Sequence, residues 1–105
     1  MTPRWMFLTM LALIGPGTIS AHAETIQVVI DKLVFSPAEV QAKVGDTIEW
    51  VNKDAFAHTA TATNRAWDVA IAPKQTVRFT LTRPGVEDYF CKYHPNMKGR
   101  VTTLP

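Results

Sequence analysis

A partner for its cysteine is what this chain most plainly lacks: Cys91 is the only one in 105 residues, so no disulfide can close within the chain. Strong charge of either sign is missing too. Eleven Lys and Arg stand against nine Asp and Glu, a formal net charge of +2, which argues against a nucleic-acid partner. No apolar run is long enough to cross a bilayer, because the longest, Trp5 to Ile14, falls well short of the ~20 residues a spanning helix needs. From Glu24 onward no stretch has the 3.6-residue apolar period of an amphipathic helix, and no repeat or low-complexity tract interrupts the chain.

The N-terminus reads as an address rather than as structure. Arg4 precedes the apolar run, Gly15-Pro16-Gly17 breaks it, and Ala21-His22-Ala23 supplies small residues in an A-x-A pattern. Residues 1–23 are therefore expected to be a Sec-type signal peptide cleaved after Ala23, leaving 24–105 as one exported, periplasmic domain with no membrane span. A domain of this size buries only about 60–65% of its unfolded surface, so a staple or a metal would help it fold. In an oxidising compartment a lone thiol is an intermolecular link, a liability or a protected ligand.

What is present has period two. Ile26, Val28 and Ile30 alternate with polar neighbours, as do Val40, Ala42 and Val44, and again Val77, Phe79 and Leu81. Turn signals fall between these runs, at Ser36-Pro37, Gly45-Asp46, Asn52-Lys53-Asp54, Ala72-Pro73-Lys74 and Pro84-Gly85. The pattern predicts an all-β antiparallel sandwich or barrel of about seven to eight strands. They are expected near 25–31, 38–44, 46–52, 57–63, 75–82, 86–91 and 99–104, so that Cys91 ends one strand and "KYHPNM" is the loop to the next. Trp50 and Trp67 read as core aromatics.

Beyond the leader the chain retains two histidines, His58 and His94, one cysteine, Cys91, and one methionine, Met97. Two imidazoles, a thiolate and a weak axial thioether form the ligand set of a blue-copper electron-transfer centre. Thiolate favours the reduced ion, imidazole suits both oxidation states, and a distant thioether disfavours tetragonal geometry. The spacing Cys91, His94, Met97 lets one loop aim all three at a point, with Pro95 stiffening it; His58 arrives from a strand 33 residues before Cys91.

These segments resemble the cupredoxins, in particular small blue copper proteins of the plastocyanin and amicyanin type. "FSPAEVQAKVGDTIEWVNKDAFAHTATA" is similar to the family's N-terminal half and "PGVEDYFCKYHPNMKGRVTTL" to its ligand loop and last strand. The two-residue gap between His94 and Met97 is more like amicyanin. The resemblance implies a Greek-key β-sandwich holding one copper ion, Cu(I) or Cu(II), on His58, Cys91, His94 and Met97. It implies a monomeric carrier passing single electrons between an exported donor and acceptor that dock near His94. Two departures stand out: Thr59 occupies a position where the family often has an Asn that braces the ligand loop, and Glu87 replaces an aromatic. Glu87 shares the face of Tyr89 and Cys91 and is expected to reach solvent near the start of its strand.

Other readings use the same residues. A copper carrier that delivers the ion would favour more numerous, exposed thioethers. A cysteine nucleophile would need a third orienting group and a substrate cleft, which a small sandwich does not offer, so no enzyme is expected. Zinc is outranked by copper(II) for these ligands. Phe56, Tyr93 and Pro95 flank the ligands in sequence, either as an apolar collar through which His94 meets a partner or as loop residues that shield the metal from water. Lys92, Lys98 and Arg100 are either a docking patch for an acidic partner or ordinary solvated cations.

Overall fold

The alternating runs pair into two facing sheets. A computed structural model describes residues 22–105, in which nine strands run in chain order: β1 Thr25–Asp31, β2 Val34–Ser36, β3 Glu39–Lys43, β4 Thr47–Asn52, β5 His58–Ala62, β6 Asp68–Ile71, β7 Thr76–Thr80, β8 Gly85–Cys91 and β9 His94–Leu104. One sheet has the order β2-β1-β4-β7 and the other β3-β9-β8-β5-β6. Of the expected signal peptide, residues 1–23, all but His22 and Ala23 lie outside the described residues.

The sheets are mixed rather than purely antiparallel. β1 runs parallel to β4, with Thr25 opposite Thr47, and β3 runs parallel to β9, with Glu39 opposite Arg100. Period-two alternation reports which face of a strand is buried but is blind to its neighbour's direction, so the two parallel pairs were not legible in it. β2 and β6 are the strands the pattern misses. Three and four residues long, they carry one buried residue each, Phe35 and Ile71, too few to show a period.

The core lies between the sheets: Val28, Ile30, Ile48, Trp50, Ala60, Tyr89 and Val101 are all at most 1% exposed, whereas Val44, at the end of a predicted alternating run, is 41% exposed. Tyr89 sits at its centre, edge-on to Phe35 and Trp50 with ring centroids 4.8 and 5.7 Å away, and beside Trp67 at 5.5 Å. The Trp50 indole N–H donates to the Tyr89 hydroxyl at 3.3 Å, and burial pushes that phenol up to about 12. Across the ladder Tyr89 faces Gly99, where a Cβ would fall 2.3 Å from the ring's Cζ. Only a residue without a side chain lets β9 pass this close, and that fixes where β9 begins relative to β8.

Glu87 is half-buried rather than solvated. One carboxylate oxygen accepts from the Asn64 side chain at 3.3 Å, whereas Oε1 is buried without a partner beside a cavity of about 60 Å³ lined by Trp67, Phe79 and Val101. Its inward parity overrides the expected escape to solvent, and Val86, 61% exposed, takes the outer position instead.

Candidate metal centre

Three strands of the larger sheet deliver the candidate ligands to one end of the sandwich. His58 opens β5, Cys91 closes β8 and His94 opens β9. Only Lys92 and Tyr93 separate β8 from β9, so the expected loop is shorter than the sequence suggested; a register shift at Phe90/Cys91 places Cys91 opposite His94 and leaves 95–97 to bulge. Cys91 Sγ lies 3.7 Å from His58 Nδ1 and 3.8 Å from His94 Nδ1. One ligand atom from each of the three residues lies within 4.8 Å of the others. Metal–sulfur and metal–nitrogen bonds of about 2.3 and 2.0 Å, opened to a trigonal angle, separate their ends by roughly 3.8 Å, so the donors fit an ion between them. His58 and Cys91 are buried and His94 is half-buried; Met97, three residues further, is 3% exposed and packs in the same core cluster.

The sequence around His58 explains why its imidazole is already aimed. The Asn52 side chain donates to the carbonyls of Phe56 and Ala72 at 2.8 and 3.1 Å and accepts the Asp54 N–H at 2.9 Å, which closes the 52–58 turn. Asp54 then faces inward. Its carboxylate accepts from the backbone N–H groups of Lys32 and Leu33 at 2.7 and 3.1 Å and meets His58 Nε2 at 2.9 Å. Burial pushes this carboxyl up, but the two backbone donors and His58 together hold it below the usual carboxylate range. Ionised, it is acceptor-only, so the proton resides on His58 Nε2 and the Nδ1 lone pair is left facing Cys91. Lys32 and Leu33 both have positive φ, 55° and 65°, as a two-residue turn between β1 and β2 requires. Asp54 therefore ties that hairpin tip to the imidazole.

The other side of the site is braced through Thr59. Its backbone N–H donates to Cys91 Sγ at 3.4 Å, and its hydroxyl accepts the Lys92 backbone N–H at 2.9 Å. That hydroxyl passes its own proton to Thr61 Oγ1 at 2.9 Å, because Thr61 donates to Asp68 at 2.8 Å. Lys92 Nζ closes the ring on the same carboxylate at 2.8 Å. Thr59 and Thr61 occupy the outward positions of β5, yet Lys92 and Asp68 cover them, and every residue of the strand is buried. The threonine in place of the family's asparagine thus still braces the ligand turn.

Asp54, Asn52, Thr61 and Asp68 are the site residues that sequence reasoning missed. An Asp four residues before His58 and an Asn two before that Asp were a usable signal, read only as a turn. Nothing in the sequence marks Asp68 as a neighbour of Lys92. Of the three cations around the ligand segment, Lys92 pairs with Asp68 and Arg100 with Asp88 at 2.7 Å, so each meets an acid of its own chain, unlike a uniformly basic docking patch. His94 is half-buried, whereas Phe56 and Tyr93 are 58% and 60% exposed and Pro95 is exposed as well.

Comparison with known proteins agrees with this geometry. A family model described as a cupredoxin-like domain matches residues 4–103. Amicyanin of Paracoccus denitrificans is 33% identical over 78 residues, 69% of this chain, and this chain spans only 60% of that relative's length. Amicyanin-alpha of Methylorubrum extorquens is 33% identical over 87 residues, 77% of this chain and 73% of the relative. Among solved structures, the amicyanin of Paracoccus versutus superposes with a TM-score of 0.65 at 30% identity, covering 79% of this chain and 82% of that one. An oxidised single-residue variant of amicyanin gives a TM-score of 0.68 at 31% identity, covering 74% and 80%.

Proposed function

This chain belongs to the cupredoxin-like family, and from that premise we propose that it is an exported, periplasmic one-electron carrier whose single copper ion is held by His58, Cys91, His94 and Met97. The observation that carries the proposal is the convergence of one sulfur and two Nδ1 atoms, with Cys91 Sγ 3.7 and 3.8 Å from the two nitrogens; Met97 is buried in the same core cluster as Cys91. Copper bound there supplies the Cu(I)/Cu(II) couple.

The chain's own residues make that couple usable. Asp54 fixes the tautomer of His58, the Thr59 N–H stabilises negative charge on Cys91, and the Thr59–Lys92 bond holds the ligand turn to β5. Donors fixed from two sides move little when the charge on the site changes, so the reorganisation that slows electron transfer is small. Burial of His58, Cys91 and Met97 excludes water and leaves His94 as the edge at which a donor or acceptor docks, seated on Phe56, Tyr93 and Pro95. The same burial speaks against ready delivery of the ion to another protein, and a fully buried Cys91 thiol offers no attack on a substrate, so the role is non-catalytic.

The test is spectroscopic. Copper(II) added to the purified domain should give an intense blue thiolate-to-copper band that bleaches with a mild reductant and returns on oxidation. Cys91→Ala should remove the band. Met97→Ala should keep a coloured site but shift its reduction potential. A colourless, redox-silent protein would overturn the proposal.

A further inference from the structure

We propose that Asp46 is the receptor for the mature N-terminus: hydrolysis of the Ala23–Glu24 peptide bond turns the Glu24 nitrogen, already seated on this carboxylate, into an ammonium paired with it. The inference rests on the export reading for the cut itself; the receptor is carried by geometry.

The Glu24 backbone nitrogen donates to Asp46 Oδ1 at 2.8 Å, and the Lys43 backbone nitrogen donates to Oδ2 at 2.9 Å. Asp46 is 3% exposed and its backbone is held at both ends: its N–H donates to the Lys43 carbonyl at 2.9 Å, and its carbonyl accepts from Leu81 at 2.8 Å. Gly45, with φ of 100°, lets the chain turn this tightly. On the other side, the Glu24 carbonyl accepts from Thr47 at 2.9 Å and the next residue, Thr25, already pairs in parallel register with Thr47. Among the described residues the Glu24 nitrogen is thus positioned from its C-terminal side. His22 and Ala23 are exposed and join no strand, so removing them disturbs no pairing.

In the cut, the C–N bond between Ala23 and Glu24 breaks; water gives its hydroxyl to the Ala23 carbonyl carbon and its hydrogen to the nitrogen, which takes one more proton from solvent. One amide donor becomes a cation with three. The carboxylate has room for it, since the two amides occupy only part of its acceptor capacity. The charged neighbours are the Lys43 side chain, which attracts the carboxylate, and the exposed Glu24 carboxylate on the same residue as the new ammonium. The backbone donors of Glu24 and then Lys43 already hold the Asp46 carboxyl below its ordinary range, so it is ionised and ready for a cation. A cut one residue earlier leaves an amide in the receptor, and a cut one residue later removes the nitrogen altogether.

The experiment uses the exported, copper-loaded protein. Its intact mass should correspond to Glu24–Pro105, and the α-amino group, followed by NMR titration, should release its proton above about pH 9 rather than at the ordinary ~8, a tenfold tighter hold. Acetylating that amine, or extending the chain by Ala23, should lower the thermal midpoint by several degrees and leave the blue band in place. In Asp46→Asn the amine should titrate ordinarily and the modifications should cost nothing. An amine that titrates at its ordinary value, or acetylation without effect while Asp46 is intact, overturns the receptor and needs no variant to fold. A purified chain still carrying Met1 refutes export and with it the receptor; a chain cut at Glu24 with an ordinary amine leaves export standing and sinks the receptor alone.

Discussion

Replacing Thr59 by Val isolates the brace behind the thiolate. Valine keeps the shape of threonine, so no cavity opens in β5 and the backbone N–H to Cys91 Sγ is untouched. What goes is one hydroxyl with two bonds of 2.9 Å, one from the Lys92 backbone N–H and one to Thr61. Thr61 keeps its own donor bond to Asp68, whereas the Lys92 N–H is left without an acceptor in a part-buried position. Leaving such a group unpaired costs about 1–3 kcal/mol, and partial access of water at this turn places the expected loss near ~1–2 kcal/mol. In a domain of this size that lowers the thermal midpoint by roughly 4–16 °C. The assay is guanidinium unfolding of metal-free and copper-loaded protein, with the rate of copper loss to a chelator measured alongside. Copper should leave faster from Thr59→Val, and Thr59→Ser, which restores the hydroxyl, should recover most of both effects. A valine variant within about 0.5 kcal/mol of the parent, losing copper at the parental rate, would show that the ligand turn does not depend on this bond.

Three further outcomes follow from the same structure. Asp54→Asn exchanges an ionised acceptor for an amide that can no longer impose one tautomer on His58, and copper affinity measured by competition should fall by about 10–100-fold. Gly99→Ala drives a methyl into the Tyr89 ring and should cost about 1–3 kcal/mol or more in urea unfolding, with Tyr89 fluorescence reporting the displaced ring. Because the folded-state value of Asp46 is depressed, its stabilisation is complete above its ordinary value of 3.8 and is lost as the pH falls through the lower folded value. Stability followed from pH 6 downward should therefore decline less steeply over that window in Asp46→Asn than in the parent.

The division between what was readable and what was not has a physical basis. Buried strand faces were legible because alternation of Ile26, Val28 and Ile30, or Val77, Phe79 and Leu81, is imposed by the pleat itself. The cluster of His58, Cys91 and His94 was legible by inventory, since these three and Met97 are the only soft or imidazole donors from Glu24 onward. Partner direction, by contrast, depends on how the chain crosses between sheets, which hydropathy does not encode. The carboxylate of Asp54 stood four residues before His58 but read only as part of a turn, because its other partners, Lys32 and Leu33, come from a distant hairpin. The hydroxyl relay from Thr59 to Asp68 was hidden for another reason: it joins residues whose sequence spacing carries no pattern, and only the register of β5, β6 and β8 brings them together.

The tip formed by Lys32 and Leu33 is where an engineer would naturally insert a tag or an epitope, because exposed hairpin ends usually tolerate it. Here both amides of that tip grip the carboxylate that orients His58, so a graft there would loosen an imidazole 26 positions downstream of Lys32. The turn around Asn64 and Arg65, which holds no donor to the cluster among the described residues, is the safer splice point.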